Sequence, residues 1–483
     1  MLLRHSALYL LGRLLPGVVS LLTLALYTRL LTAGEYGRYA LVIAAVGIVN
    51  AICFQWLNLS LGRFLQAHDN SPSELLSTAL TGFLVLVVTT GVLGCAAAWL
   101  WPDKTMRWLI ILAVGIVWAQ AWYDLNLKIV NARLAPVRYG LITSIKALLA
   151  VGVGVAFFYL GGGVAGILLG LMAALLLSTF FGWRHWHGLS MRGFNPRLLR
   201  TFIGYGAPLT LTFMLSMVLD SSDRFLLGWY MDAKAVGAYA AAYVLTQQSL
   251  GLLMGAVHLA AFPLAVHALE EKGAVEARIQ LRQNFLMLLL LSVPATVGLV
   301  MLANNIAAVV LGHGFRAQAG KIILIVATAT FIGGIQSYYF SYSFQLKRQM
   351  RGQVWTVLWA AVANVGLNLW WIPRHGVIGA AYATLSAFLV GLVVSWHLGK
   401  HIFALPAFPG EGYKVVLASL GMAACLWPIA KWRGPIALLE QILLGCIVYI
   451  VLLLIFDMGQ SQFKLTTYFH KSKPWQRRFR TST

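Results

Sequence analysis

The sequence predicts an all-α polytopic membrane protein. Of its 483 residues, 60% are hydrophobic and only 10% are charged, and the mean hydropathy is +0.79. The apolar residues fall into long runs separated by short polar breaks. Because a helix of about 20 apolar residues spans the hydrocarbon core of a bilayer, these runs predict transmembrane helices.

Fourteen runs are long enough to cross a membrane once each. The first is too long for the core of a signal peptide, so it is retained as a helix. The breaks are short, and the longest one, at about 265–284, leaves no room for a soluble domain. In order, the runs cover residues 7–31, 39–61, 75–99, 108–130, 141–160, 163–182, 204–228, 236–264, 285–311, 321–345, 353–372, 377–398, 413–430 and 436–456.

The formal net charge of +22 raises the question of a nucleic-acid partner. An even number of helices puts both termini on one side, and most of the 36 Lys and Arg residues lie nearer that side of the membrane. This bias is typical of the positive-inside rule, which explains the charge without nucleic acid. We therefore expect both termini in the cytoplasm and the basic tail 459–483 near lipid headgroups.

Several function classes are excluded by missing motifs. The chain has no GxxxxGK[ST] phosphate loop, so it does not hydrolyse ATP by that route. The four cysteines have no CxxC spacing and the eleven histidines are scattered, so no metal site is predicted. No cofactor and no catalytic residue is expected.

An internal repeat relates the first twelve helices as two six-helix units. Three features recur in corresponding helices: Pro16 and Pro208, Arg29 and Arg224, and the Gly-x-Tyr-Ala sequences that begin at residues 37 and 237. A further echo pairs GVAG from residue 163 with GVIG from residue 376. Because each unit has an even number of helices, both units start on the same side of the membrane and have the same orientation. This predicts a pseudo-two-fold axis along the membrane normal. The expected organisation is 1–200 and 201–400 as two lobes, 401–458 as helices 13 and 14, and 459–483 as a cytoplasmic tail.

Four segments resemble a known family. They are YTRLLTAGEYGRYAL, DRFLLG with VGAYAAAY, NVGLNLWWIPRHGVIGAAYAT and VVLGHGFRAQAG. They are similar to the Wzx-type polysaccharide flippases, whose superfamily also holds multidrug exporters and lipid II flippases. The resemblance implies translocation of an undecaprenyl-diphosphate-linked oligosaccharide across a bacterial inner membrane by alternating access, for O-antigen, capsule or exopolysaccharide synthesis. The resemblance is also compatible with other polysaccharide assembly proteins as partners.

A diphosphate and sugars inside a membrane need fixed positive charge and polar partners, so ionisable residues within the predicted helices are the candidates. The stretch LDSSDRFLLG at 219–228 concentrates three of them. We expect a cationic cavity formed by Arg13, Arg29, Arg63, Lys146 and Arg224. We expect charge balance, or coupling to H⁺ or Na⁺, from Asp124, Asp220 and Asp223.

Simpler roles compete with each of these assignments. Asp220 with Arg224, and Asp124 with Lys128, have the i,i+4 spacing of helical ion pairs. Arg29 and Arg63 lie close enough to helix ends to extend their charges to the interface.

Two other kinds of protein were weighed against the flippase. A lipid II-type flippase or a cation-coupled multidrug exporter of the same superfamily is the first alternative, although helices 13 and 14 and the intramembrane Arg residues argue against an exporter. A membrane polymerase or ligase is the second, and it would be expected to carry a sizeable outward loop that this sequence lacks.

Overall fold

The computed structural model describes residues 2–65, 72–133, 135–180, 186 and 193–456, with the backbone alone for residues 2–14 and 72. Every regular element in this part of the chain is helical. In chain order the α-helices are α1 (Leu2–Leu30), α2 (Ala33–Cys53), α3 (Gln55–Phe64), α4 (Pro72–Leu100), α5 (Lys104–Ala132), α6 (Pro136–Phe157), α7 (Gly163–Thr179), α8 (Pro196–Tyr230), α9 (Ala233–Thr246), α10 (Leu252–Lys272), α11 (Ala274–Met301), α12 (Ala303–Val310), α13 (Arg316–Ile335), α14 (Tyr342–Leu346), α15 (Arg351–Ile402), α16 (Gly412–Leu426) and α17 (Pro435–Ile455).

The helices confirm a multi-pass membrane protein. Ten helical segments of the described chain are long and apolar enough to cross a bilayer. Two of these, Pro136–Thr179 and Arg351–Ile402, each contain two of the predicted runs, and two further apolar helices, Leu15–Leu30 and Gly412–Leu426, are shorter. Large apolar side chains also lie on the protein surface, such as Leu160, which is 80% exposed. A surface of this kind suits lipid rather than water.

Two glycine turns fold the longest segments into helical hairpins. Gly163 has φ 52° and ψ −136°, and Gly376 has φ 58° and ψ −135°. Positive φ favours glycine because it has no Cβ. Across the first turn a Cβ at Gly166 would meet the Phe157 carbonyl oxygen at 2.8 Å, and across the second a Cβ at Gly379 would meet the Trp371 carbonyl oxygen at 2.5 Å. The two GVxG sequences that the repeat pairs therefore form turns of the same backbone shape.

Several predicted runs are interrupted within spans that are apolar on average. The second run breaks at Phe54 between α2 and α3, and the ninth breaks at Leu302 between α11 and α12. π-Helical segments interrupt the eighth run at Gln247–Gly251 and the tenth at Gln336–Phe340. In the tenth run the Ser341 amide donates to the Gln336 carbonyl, five residues back, at 3.0 Å. Phe54 and Leu302 are apolar, whereas both π-helical segments begin with glutamine, so only the first two breaks lie at residues without a polar signal.

The N-terminal ends of α2 and α9 cross in reciprocal glycine contact. A Cβ at Gly37 would lie 1.7 Å from the carbonyl oxygen of Ala233, and a Cβ at Gly237 would lie 1.9 Å from that of Ala33. Only a hydrogen on each Cα lets the backbones approach this closely. Buried side chains around the crossing, including Tyr36, belong to the largest apolar core of the protein.

Candidate functional site

Asp223 is buried at the junction of α8, α9 and α15. Its Oδ2 accepts hydrogen bonds from the Tyr239 hydroxyl on α9 and, at 3.0 Å, from the Thr384 hydroxyl on α15. The hydroxyls of Tyr239 and Thr384 also lie 2.9 Å apart. All three side chains are only 1% exposed. Three separate helices thus position one carboxylate inside the membrane-embedded core.

The other carboxylate oxygen of Asp223 has no partner. Asp223 Oδ1 is buried without a hydrogen bond, and the same holds for Asn368 Oδ1 and Asn364 Nδ2 on α15. Asn364 is tied to α8, because its Oδ1 accepts from the Ser222 hydroxyl at 2.7 Å and from Asn368 Nδ2 at 3.0 Å. Buried oxygens without partners are rare because they lose hydration without compensation. We call Asp223, Tyr239, Thr384, Asn364 and Asn368 the Asp223 cluster.

The hairpin geometry brings the two parts of this cluster together. Across the turn at Gly376, a Cβ at Gly391 would touch Ala360 at 3.4 Å and one at Gly379 would touch Trp371. With that register, Thr384 on the second arm lies opposite the stretch between Asn364 and Asn368 on the first. The Asp223 cluster therefore consists of side chains of α8, α9 and α15, with Asn364 joined to α8 through Ser222 next to Asp223.

Asp220 and Arg224 do not form the ion pair that their spacing allows. Among the described residues, neither takes part in a salt bridge within 4.0 Å. Asp220 Oδ1 accepts from the Tyr243 hydroxyl at 3.4 Å. The Arg224 guanidinium lies 5.4 Å from the ring centroid of Tyr243, and its buried Nε has no hydrogen-bond partner. The helical ion-pair interpretation is therefore wrong here.

Asp124 is likewise held by amides rather than by Lys128. Its two carboxylate oxygens accept from Asn50 Nδ2 at 3.0 Å and from Gln120 Nε2 at 2.9 Å. Asp124 and Lys128 form no salt bridge within 4.0 Å in the part of the chain that the structure describes. The two amides that hold Asp124 also face a cavity.

This cavity, which we call the Lys146 cavity, has a volume of about 360 Å³ and lies between α2, α3, α5, α6, α7 and α8. Lys146 is its charged lining residue, and its ammonium lies 5.7 Å from the ring centroid of Tyr123. Within the described ranges, no carboxylate lies within 4.0 Å of that ammonium. The other polar side chains that line the cavity are Tyr39, Asn50, Gln55 and Gln120.

The remaining predicted cations lie elsewhere. Arg29 is exposed at the end of α1, where its guanidinium donates to the carbonyls of Ala25 at 2.8 Å and Val309 at 2.6 Å. Arg63 is exposed in the last turn of α3. Both positions favour the helix-end role over a place in the Lys146 cavity. The backbone of Arg13 belongs to α1, but its side chain lies outside the described residues.

The bonds of Arg29 belong to a longer seam between the end of α1 and the segment after α12. The Gly312 amide donates to the Thr28 hydroxyl at 3.1 Å, and a Cβ at Gly312 would lie 1.8 Å from the Thr28 carbonyl oxygen. Phe315 packs edge-on against Tyr36, with ring centroids 5.5 Å apart. These contacts and the Gly37–Gly237 crossing join the two proposed repeats at the ends of their first helices.

The sequence analysis did not identify the residues of other helices that contact Asp223. Tyr239 stands in the repeated Gly-x-Tyr sequence, and Asn364 and Asn368 share a helix face, so both signals were present in the chain. No feature of the sequence around Thr384 indicates that its hydroxyl contacts Asp223. In the described part of the chain, no group of three or more His, Cys, Asp or Glu side chains could hold a metal ion.

Comparisons with known proteins agree with this architecture. The chain is 24% identical over 449 residues to the probable flippase AglR of Haloferax volcanii, covering 87% of this chain and 88% of that protein. It is 22% identical over 421 residues to a putative O-antigen transporter of Shigella flexneri, covering 82% of this chain and 97% of the transporter.

Solved structures share the fold. The lipid II flippase MurJ, in an inward closed conformation, matches with a TM-score of 0.79 and 15% identity over 94% of this chain and 99% of MurJ. An inward-facing MATE multidrug transporter of the MOP superfamily matches with a TM-score of 0.64 and 15% identity, over 83% of this chain and all of that one. The family model described as "Polysaccharide biosynthesis protein" matches residues 26–319, more than half of the chain, so this chain belongs to that family.

Proposed function

We propose that this protein is a flippase that moves a lipid-linked oligosaccharide across the membrane for surface polysaccharide synthesis. Two relatives, a probable flippase and a putative O-antigen transporter, align over most of the chain. The family and the relatives favour an oligosaccharide cargo over a small drug, and the carrier we propose is undecaprenyl diphosphate. The membrane we propose is the bacterial inner membrane, with both termini in the cytoplasm.

The Lys146 cavity is the observation that carries this proposal. The Lys146 ammonium has no salt bridge within the described residues, although Asp124 lies near enough to interact with it electrostatically. Such an ammonium in a membrane cavity attracts a phosphate, because phosphate oxygens accept strong charge-assisted hydrogen bonds. The hydroxyl and amide groups of Tyr39, Asn50, Gln55 and Gln120 supply the donors and acceptors that sugar hydroxyls need. α8 lies on one side of this cavity and α2 on another, so movement between the proposed lobes would change access to it.

The test is transport into proteoliposomes that contain the purified protein and a fluorescent lipid-linked oligosaccharide. Lys146→Gln is expected to lower the translocation rate by about 10- to 100-fold, since a hydrogen bond to a charged group contributes about 1.5–3 kcal/mol. Lys128→Gln is the matched control, because Lys128 does not line the cavity, and it should keep the rate of the unaltered protein. Equal rates for the two variants would remove Lys146 from the site. A rate no higher than in protein-free vesicles would overturn the flippase proposal itself.

We further propose that α1–α7 and α8–α15 form two six-pass lobes and that α16 and α17 add two passes, which makes fourteen in all. The reciprocal glycine contact of α2 with α9 and the matching turns at Gly163 and Gly376 support a pseudo-two-fold axis. With cytoplasmic termini, the seam at Thr28, Arg29 and Gly312 closes the outer side, and transport requires that it open.

Coupling to a monovalent cation is assigned to the Asp223 cluster. The unpartnered oxygens Asp223 Oδ1 and Asn368 Oδ1, with the hydroxyl of Thr384, offer the hard oxygen ligands that Na⁺ prefers. Asp124 is a poorer candidate, because amide donors already satisfy both of its oxygens. Asp220 accepts one long hydrogen bond and is only partly buried.

A further inference from the structure

A second cavity lies far from the groups described above. It has a volume of about 590 Å³ and opens between α11, α13, α15, α16 and the segment 404–408, so we call it the α11–α16 cleft. It shares no lining residue with the Lys146 cavity. Its size is in the range of ligand-binding cavities. Six of its sixteen lining residues are aromatic: Phe285, Phe331, Tyr339, Phe340, Trp396 and Phe408.

The cleft opens to the surface that faces lipid. Trp396 is 54% exposed and Phe408 is 56% exposed, whereas Tyr339 at the inner wall is buried. Tyr339 stacks on Phe285 with ring centroids 4.0 Å apart and donates to the Pro406 carbonyl at 2.9 Å. These contacts fix the inner wall, so the cleft is a built cavity with an apolar mouth.

One cation lines the cleft, and two more lie beside the residues that begin its 404–408 segment. Lys400 lines it, and its ammonium lies 5.2 Å from the ring centroid of Trp396. Arg278 and Lys347 lie 5.6 Å and 5.9 Å from the ring centroid of Phe403, which directly precedes the cleft-lining residue Ala404.

Carboxylates do not neutralise these three charges. The acidic groups Glu411 and Glu270 pair with other cations, Arg282 at 3.0 Å and Arg348 at 3.6 Å. Within the described chain, Arg278, Lys347 and Lys400 have no salt bridge within 4.0 Å. The rim of the cleft therefore keeps a net positive charge.

One polar group lies inside the apolar part of the cleft. Ser343 lines it, is 1% exposed, and its hydroxyl has no hydrogen-bond partner. A buried hydroxyl without a partner costs free energy unless a ligand supplies an acceptor. The ester carbonyl of a glycerolipid is such an acceptor.

We propose that the α11–α16 cleft binds an anionic phospholipid of the cytoplasmic leaflet. An acyl chain covers the aromatic wall, an ester group meets the Ser343 hydroxyl, and the phosphate lies beside Lys400 with Arg278 and Lys347 near it. The positive-inside rule puts this end of the chain on the cytoplasmic side, where anionic lipids attract basic residues between helices. A zwitterionic lipid also offers a phosphate, but its own cation leaves no net negative charge to match the rim. A free phosphate would leave the apolar wall uncovered.

The experiment is native mass spectrometry of the purified full-length protein, titrated with dioleoyl phosphatidylglycerol or dioleoyl phosphatidylcholine. We expect phosphatidylglycerol to bind more tightly than phosphatidylcholine. Lys400→Gln should weaken phosphatidylglycerol binding about fivefold, the equivalent of roughly 1 kcal/mol for one basic residue near a lipid phosphate. Lys104→Gln, an exposed residue at the start of α5, is the control and should leave binding unchanged.

A second variant tests the location of the acyl chain. Ala407 is an exposed residue of the cleft wall, so Ala407→Trp should fill the cleft and weaken the binding of both lipids without disturbing the core.

Equal binding of the two lipids, or equal effects of Lys400→Gln and Lys104→Gln, would overturn the proposal. Displacement of phosphatidylglycerol by a polyprenyl phosphate but not by glycerol phosphate would assign the cleft to the transported lipid instead. None of these measurements depends on transport.

Discussion

Asp223→Asn is expected to abolish cation-driven transport while the helices stay packed. Asparagine keeps an oxygen that can accept from Tyr239 and Thr384, so the buried hydrogen bonds between α8, α9 and α15 can persist. The substitution removes the negative charge that attracts a cation into a low-dielectric site. Removing one partner of a buried charge pair costs about 3–5 kcal/mol, so we expect Na⁺ affinity to fall at least about 100-fold.

The measurement is Na⁺ binding by isothermal titration, followed by translocation driven by a Na⁺ gradient in proteoliposomes. Asp220→Asn is the matched control, one turn earlier on α8, and it is expected to keep both Na⁺ binding and the gradient dependence. Undiminished gradient-driven transport by Asp223→Asn would exclude the Asp223 cluster as the coupling site. If Asp220→Asn alone lost the dependence, the coupling carboxylate would be Asp220.

The membrane class and the approximate positions of the apolar segments were predictable because a helix that crosses a bilayer needs a long run of apolar residues. Residues 163 and 376 were also informative, because a repeated GVxG sequence at the start of two predicted helices forms two turns of the same shape. The π-helical segment at Gln336–Phe340 was not predictable. The polar residue Gln336 marks the place, but the π-helical geometry rests on a main-chain hydrogen bond from the Ser341 amide to the Gln336 carbonyl, which the residue types do not specify.

The candidate site was only partly predictable, for a related reason. Charge within an apolar run identified Lys146 and Asp223, since intramembrane charge is expensive and rarely incidental. Their surroundings depend on tertiary structure. Thr384 reaches Asp223 from 161 residues away, and Asn50 reaches Asp124 from 74 residues away. The i,i+4 spacing of Asp220 and Arg224 suggested a local ion pair, but Tyr243 of α9 takes the hydrogen bond and the ring contact instead.

Arg29 illustrates how a match between repeated sequence segments can mislead about function. It matches Arg224 in the sequence, yet it ends α1 and donates to the Val309 carbonyl, whereas Arg224 is partly buried beside Tyr243. Positions that match in the sequence repeat therefore have different surroundings. Arg29 joins the end of α1 to the end of α12, and Arg224 lies on α8 next to the Asp223 cluster.

Gly37→Ala is expected to open the crossing of α2 and α9. The added methyl group would lie 1.7 Å from the Ala233 carbonyl oxygen and 3.0 Å from the Gly237 nitrogen, and both are backbone atoms that cannot rotate away. Overpacking of this kind costs about 1–3 kcal/mol. The crossing belongs to the proposed outer closure, so this cost destabilises the conformation in which the outer side is closed. The ratio of the outward-open to the closed conformation then rises by roughly 5- to 150-fold.

Hydrogen exchange of the backbone amides around 233–237 measures this opening without any further substitution, since exchange follows the population of the open state. Gly34→Ala is the matched control. It lies three residues earlier in α2, it has a similar gain in helix propensity, and its added methyl group would meet nothing within 4 Å. We expect Gly34→Ala to exchange like the unaltered protein and Gly37→Ala to exchange faster in this segment alone. Equal exchange in both variants would mean that the crossing is not a closure that transport must open.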